Sequence, residues 1–149
     1  MGLQQQVMEQ MKAAMKSKDK VALESLRAIK SALLLAQTET GSSTEMSKEN
    51  EVKLVQKLVK QRKDSAAIFI AQGRQDLADP ELAQVAVIEQ FLPAQLSEEE
   101  IEKVVAQVIE TTGAKGMKDM GKVMGMVSKQ LGGQADGKTI STIVKTKLG

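Results

Sequence analysis

The sequence predicts an all-α protein, a four-helix bundle over residues 1–93 followed by a smaller three-helix domain over residues 94–149. Three observations carry this. Apolar residues recur at three- and four-residue spacing along nearly the whole chain, and no stretch alternates with period two long enough for a strand. The core must be aliphatic, because Phe69 and Phe91 are the only aromatic residues and nine Met serve as adaptable filler. Finally, Phe91-Leu92-Pro93-Ala94-Gln95-Leu96-Ser97-Glu98-Glu99-Glu100-Ile101 both stops and starts a helix. Pro93 disfavours helical geometry at Leu92 and has no N–H to donate. Ser97 then offers an N-cap, with Glu100 at the third helical position to complete a capping box and Leu96 and Ile101 placed for a hydrophobic staple. Glu98, Glu99 and Glu100 also put negative charge where the helix dipole favours it.

In the first domain, Leu3, Val7, Met11 and Ala14/Met15 mark a helix over about residues 3–17. Asp19 caps a second, with Ala22, Leu26, Ile29, Leu33 and Ala36 on one stripe. Leu23, Leu34 and Leu35 lie outside that stripe, so this helix is apolar over much of its circumference and is expected to be central. Residues 38–47 read as a polar loop, and Ser47 caps a third helix whose apolar rhythm runs from Val52 to Phe69. Gly73 suits the left-handed position that closes it. Asp79-Pro80-Glu81 has the pattern of a helix start, with proline at the first helical position. Asp76 offers an earlier start, and the sequence does not separate the two. The fourth helix ends at Phe91.

Past the joint, Ile101, Val104/Val105 and Val108/Ile109 mark a fifth helix ended by Gly113. Met120, Val123/Met124, Val127 and Leu131 mark a sixth, with Asp119 as its expected cap and Gly132-Gly133 as its stop. Asp136-Gly137 starts a seventh, carrying Ile140, Ile143/Val144 and Leu148. Met120, Met124 and Met126 read as core filling, and Gly121 and Gly125 as a place where another helix approaches closely.

The absence of Cys and His removes disulfides, thiolate metal sites, the commonest general base and the usual zinc and iron ligands. No nucleophile–base pair, phosphate loop or metal-ligand spacing is present, so no catalytic residue, cofactor or metal is assigned. No run approaches the ~18 apolar residues of a membrane span. The N-terminus lacks the basic start and apolar run of a signal peptide. The expected location is the cytoplasm.

Charge is informative only when mapped. Net charge is +2. From residue 94 to 112, Glu98, Glu99, Glu100, Glu102 and Glu110 oppose Lys103. From residue 113 to 149, seven lysines oppose Asp119 and Asp136, an excess of 7 − 2 = +5. Lys115, Lys118, Lys122 and Lys129 flank the sixth helix, and Lys138, Lys145 and Lys147 belong to the seventh. Clustered lysines beside glycines suit a phosphate backbone. Without aromatic residues there, recognition is of shape and backbone rather than stacked bases. The candidate nucleic-acid-binding set is Lys115, Lys118, Lys122, Lys129, Lys138 and Lys145, set against an interaction-neutral surface.

Arg62 is the odd residue of the first domain. It falls within the apolar arc of the third helix, among Leu54, Leu58, Val55, Val59, Ala66 and Phe69. A core-facing arginine demands a partner, so it is expected in a structural ion pair, with Glu24 or a carboxylate of the fourth helix; a ligand contact at the bundle's end is the other reading. The Lys53/Lys57/Lys60 row reads as a solvated face, and Arg74 as a residue reaching helix-end carbonyls or a nearby acid.

Several segments in this order resemble the GatB/YqeY family, in particular its free-standing YqeY-like members. They are Leu26-Arg27, Lys60-Gln61-Arg62-Lys63-Asp64-Ser65, Gly73-Arg74-Gln75-Asp76-Leu77-Ala78, Phe91-Leu92-Pro93-Ala94-Gln95-Leu96-Ser97, Gly121-Lys122-Val123-Met124 and Ala135-Asp136-Gly137. The resemblance implies the same four-plus-three helical arrangement. Related domains form the tail of the B subunit of glutamine-dependent aspartyl/glutamyl-tRNA amidotransferase, where they help hold tRNA; others are appended to glutaminyl-tRNA synthetases. It therefore implies a non-catalytic tRNA-binding accessory protein, with tRNA and an aminoacyl-tRNA synthetase or amidotransferase as expected partners. A family label of carbon–nitrogen ligase with glutamine as amide donor would be inherited from the multidomain relative, whose chemistry resides in other domains. The alternative is a protein-interaction module docking on a translation or tRNA-modifying enzyme.

Overall fold

A computed structural model describes residues 2–40 and 46–149. Among them are seven α-helices and no strand: α1 (Leu3–Ser17), α2 (Lys20–Thr40), α3 (Lys48–Ala71), α4 (Gln75–Glu89), α5 (Glu98–Thr112), α6 (Met120–Leu131) and α7 (Gly137–Leu148), with one 3₁₀ turn, Met117–Asp119, before α6. The chain divides into two compact units, Met1–Leu92 and Pro93–Gly149.

In the first unit α3 packs along α4, α1 along α2, and α2 also against α4 and, less extensively, α3. Leu3, Val7, Leu26, Ile29, Leu33, Val55, Val59, Val85 and Ile88 form its core. The helix starts follow side-chain caps: the Ala22 N–H donates to Asp19 Oδ1 at 3.1 Å and the Asn50 N–H to Ser47 Oγ at 3.2 Å. α1 ends with Lys18 in the left-handed region at φ 58°, and the Asp19 N–H returns to the Ala14 carbonyl at 3.0 Å. At the end of α3, Gly73 takes the left-handed position at φ 74°. There the Gly73 N–H donates to the Ile70 carbonyl and the Arg74 N–H to the Phe69 carbonyl, closing the helix with two bonds.

Two expectations change in this unit and one open choice is resolved. α2 runs through Thr40, so residues 38–40 are helical; residues 41–45 of the expected loop lie outside the described residues. Of the two starts the sequence left open, α4 takes the earlier, beginning at Gln75, and Pro80 lies inside it. That proline removes the N–H that would bond the Asp76 carbonyl, at a cost of about 3 kcal/mol. Two features of the turn that precedes Pro80 offset part of the cost: Ala78 is fully buried, a tertiary contact, and Gln75 Nε2 donates to Asp79 Oδ1 at 2.7 Å, a local one. α2 is central, but Leu34 and Leu35 are exposed rather than covered by a neighbour.

The second unit is built by α5, α6 and α7, each packed on the other two. Its core joins Ile101, Val105 and Val108 to Val123, Val127 and Leu131 and to Ile140, Ile143, Val144 and Leu148. The Glu100 N–H donates to Ser97 Oγ at 3.2 Å, and the Ser97 hydroxyl lies 3.2 Å from Glu100 Oε1. The cap therefore closes through the two side chains rather than through a backbone N–H of Ser97. Leu96 packs on the cluster that contains Ile101, as a staple would. The Leu96 N–H also donates to the Gln134 carbonyl at 2.9 Å, tying the segment before α5 to the α6–α7 turn. Asp136 Oδ1 caps α7 by accepting the Thr139 N–H at 2.7 Å.

Candidate nucleic-acid interface

The basic part of the second unit starts where α5 ends. Gly113 terminates α5 at φ 68°, and Gly116 introduces the 3₁₀ turn at φ 80°. Asp119 is not the side-chain cap of α6. Its Oδ2 accepts the backbone N–H of Lys115 at 2.9 Å, backwards along the chain. A 3₁₀ turn leads directly into α6, so the carboxylate is drawn to the loop instead. The result is a closed loop that holds Lys115 and Lys118 at the N-terminal end of α6.

Lys122 and Lys129 are seven residues apart on α6 and share its outer face. Gly125 and Met126 lie between them on that face, opposite the buried Val123 and Val127. All six candidate lysines are exposed. None takes part in an ion pair among the described residues. The two glycines of α6 serve no packing purpose within the unit: a Cβ at Gly121 or Gly125 would meet nothing within 4 Å. The expected close approach of another helix is therefore absent among the described residues. Met120 and Met124 pack on the core as expected, but Met126 is exposed.

α7 distributes its lysines differently. Lys138 and Lys145 fall on one side by their seven-residue spacing. Lys138 and Lys147 line a groove of about 340 Å³ whose opposite wall carries Glu98 and Glu102 of α5. Carboxylates facing these ammonium groups offset part of their potential, a setting that Lys122 and Lys129 do not share.

The first unit offers less. Lys53 pairs with Glu49 at 3.5 Å and Lys60 with Asp64 at 3.2 Å along the solvated face of α3. Arg62 is half-buried, but its described partners are neutral: Nε donates to Gln84 Oε1 at 2.8 Å and Nη1 to the Leu58 carbonyl at 3.1 Å. The expected carboxylate is replaced by an amide because the α3–α4 hairpin brings Gln84 opposite Arg62. Arg74 is held in a two-pronged pair with Asp76, Nε to Oδ1 at 3.0 Å and Nη2 to Oδ2 at 2.9 Å. The guanidinium holds the Asp76 carboxyl below its ordinary range, and the carboxylate raises the arginine further.

A family model described as YqeY, "Yqey-like protein", matches residues 4–148. The chain belongs to the YqeY-like protein family. This YqeY-like chain is 31% identical over 143 residues to altered inheritance of mitochondria protein 41, mitochondrial, of Pyrenophora tritici-repentis, covering 93% of this chain and 77% of that one. It is 42% identical over 73 residues to the E subunit of glutamyl-tRNA(Gln) amidotransferase from Thermococcus gammatolerans, covering 46% of this chain and 12% of the relative. A 48-residue match to the corresponding Methanococcus maripaludis protein is 48% identical and covers 32% of this chain and 8% of the relative. The YqeY-like chain thus matches only about an eighth or less of the length of these amidotransferase relatives. No helix among its described residues is long and apolar enough to cross a membrane.

Proposed function

We propose that this protein is a non-catalytic tRNA-binding accessory protein of the cytoplasm, acting through the lysine face of its second unit. The architecture behind that reading is a four-helix bundle followed by a three-helix bundle, with the boundary at Pro93. The observation that carries it is the outer face of α6, where Lys122 and Lys129, with Lys118 just ahead, stand exposed and without a carboxylate partner among the described residues. Unpaired ammonium groups along one helix face displace condensed counterions from a phosphate backbone, the main source of affinity in sequence-independent binding. The likeness to part of an enzyme that acts on glutamyl-tRNA(Gln) makes tRNA the nucleic acid of choice. That likeness spans 12% of the relative, and amide transfer is not carried over with it. A synthetase or an amidotransferase is the expected neighbour on the tRNA.

The test is a titration of labelled tRNA transcript with the full chain at two salt concentrations. Affinity falls with a logarithmic slope of about −0.7 to −0.9 per phosphate contact, and the Lys118/Lys122/Lys129 triple Gln variant loses most of it. If the triple variant binds as tightly as the parent at low salt, the site is wrong.

A further inference from the structure

Along the pair α1–α2, apolar side chains accumulate beyond what the core uses. The buried residues of α1 are Leu3, Val7 and Ala14. Beside that stripe, Met8, Met11 and Met15 follow at spacings of three and four, which sets them on one side of the helix. Met8 is 44% and Met15 54% exposed, and Met11 is half-buried. The two residues between α1 and α2, Lys18 and Asp19, make the helices antiparallel neighbours. On α2, Leu23, Arg27, Lys30 and Leu34 share one side by the same spacing; Leu23 is half-buried against the core and Leu34 is 48% exposed. Met8 and Gln37 line a common hollow of about 190 Å³, and Gln37, three residues past Leu34, continues the same row, which places the methionine side of α1 against this side of α2. A single exposed apolar side chain is ordinary. Three exposed ones and two half-buried ones, in one row on each of two adjacent antiparallel helices, exceed that.

Glu51 lines the hollow at the Met8 end; along the rest of the seam the flanking charges have one sign. Lys12 and Arg27 flank the seam, Lys30 lies within it, and Lys16 and Lys20 stand just outside. None of the five takes part in an ion pair among the described residues. Of the acids of α1 and α2, Glu9 and Glu24 fall roughly a quarter-turn or more around their helices from the seam at about 100° per residue, and Glu39 lies beyond the seam's Leu34 end.

We infer that the α1–α2 seam is a docking groove for an acidic amphipathic helix of a partner protein. The side chains of the floor favour a helix: thioethers are unbranched and adaptable, and repack around the apolar knobs of an incoming helix. The basic rim selects glutamate and aspartate on that helix's flanks and disfavours a basic one. From Leu23 to Leu34 the seam runs ~16 Å at 1.5 Å per residue, matching two to three turns with anchors at i, i+4 and i+7. An anionic bilayer fits less well, since neither α1 nor α2 carries an aromatic residue for the interface. A nucleic acid would use the rim but leave the methionines without a role. The groove is in the first unit and is independent of the tRNA reading.

The test uses the full chain and a labelled synthetic peptide of about 18 residues, long enough to hold a helix, with Leu at i, i+4 and i+7 and Glu on the remaining faces. Anisotropy titration is expected to show saturable one-to-one binding, at least about tenfold tighter than for a scrambled peptide of the same composition. Met15→Glu/Leu34→Glu and, separately, Lys12→Glu/Arg27→Glu each weaken it about tenfold or more. Both variants change exposed positions, so their thermal transitions and tRNA affinity stay as in the parent. Equal binding of the scrambled peptide, or insensitivity to both variants, overturns the proposal. So does loss of the peptide on Lys122→Gln/Lys129→Gln. If instead the peptide fails while vesicles of equal parts phosphatidylcholine and phosphatidylserine bind through the same residues, the occupant is a membrane. If it fails and the parent forms a dimer that Met15→Glu dissolves, the occupant is a second copy. Either result also overturns it.

Discussion

Arg62 Nε donates to Gln84 Oε1 at 2.8 Å, so α3 and α4 are joined by a charged donor and a neutral acceptor. The pairing changes what removal of the arginine costs. Stranding a buried carboxylate would cost about 3–5 kcal/mol. Losing a charge-assisted bond to an amide, with Gln84 half-buried and able to reach water, costs about 2 kcal/mol. Arg62→Ala is expected to lower stability by that amount in urea titrations. Because Gln84 does not titrate, the loss should be equal at neutral pH and at about pH 4, near ordinary carboxylate values. A loss that shrinks in acid would reveal a carboxylate partner.

Lys18 occupies the left-handed region at φ 58° with a Cβ that disfavours it, and its conformation is set by the turn that joins α1 to α2. Lys18→Gly removes a steric cost of about 1–2 kcal/mol, partly offset by greater freedom in the unfolded chain. A net gain of about 1 kcal/mol is expected, read as a raised denaturation midpoint at unchanged slope.

Legibility in the sequence follows the range of the interaction. Asp19, Ser47, Ser97 and Asp136 are readable as caps because each acts on a backbone N–H three residues ahead. Asp119 has the same chemistry but a second N–H within reach, that of Lys115, and nothing local decides between them. Pro80 and Asp76 offer two local signals for a helix start, and the choice between them depends on packing that the sequence does not show, with Ala78 fully buried in the first turns. The need of Arg62 for a partner is visible in the apolar arc around it, whereas the identity of Gln84 depends on hairpin register. The lysines of the candidate interface are visible as a charge excess. The opposition of Lys138 and Lys147 to Glu98 and Glu102 requires the packing of α5 on α7. The methionine seam escapes a sequence reading because Met15 falls on the apolar stripe of α1 with Met11, and its 54% exposure is seen only once the helices are packed.

The Ser97–Glu100 cap belongs to the second unit alone, and Arg62 to the first. Ser97→Ala should cost about 1 kcal/mol, equivalent to roughly 4–8 °C for a unit this small. If the units unfold independently, calorimetry of the full chain resolves two transitions, with Ser97→Ala lowering one and Arg62→Ala the other. A single transition moved by both variants would contradict that independence.

Arg74 lowers the pKa of Asp76 below its usual 3.8, chiefly through their side-chain hydrogen bond. A depressed carboxyl contributes stability above its unfolded pKa and loses it as pH falls through the folded one, so any contribution disappears below about pH 3.8. Both side chains are exposed, and the effect on overall stability is small. The direct readout is the Asp76 carboxyl carbon in an NMR pH titration. Its midpoint should lie below the ordinary aspartate range and move up toward it in Arg74→Ala. An unchanged midpoint would mean the pair does not persist in solution.

The lysines of the second unit should not contribute equally to tRNA binding. Lys129 stands on the outer face of α6, whereas Lys138 lines a groove shared with Glu98 and Glu102. A carboxylate near an ammonium group has already displaced some of the anions that a phosphate would replace, and it repels the phosphate itself. Lys129→Gln is therefore expected to reduce the salt slope by about 0.7–0.9, the value of one full contact, while Lys138→Gln reduces it by less. Glu98→Gln/Glu102→Gln should act in the opposite direction, strengthening binding most at low salt, where charges are least screened. Glu98 also sits in the first turn of α5, where its charge is favourable. Thermal melts of each variant separate a loss of helix stability from a change in potential. Equal slopes for Lys129→Gln and Lys138→Gln, with no gain in the double glutamate variant, would mean that the tRNA contacts both helices alike and that the acidic wall does not shape the interface.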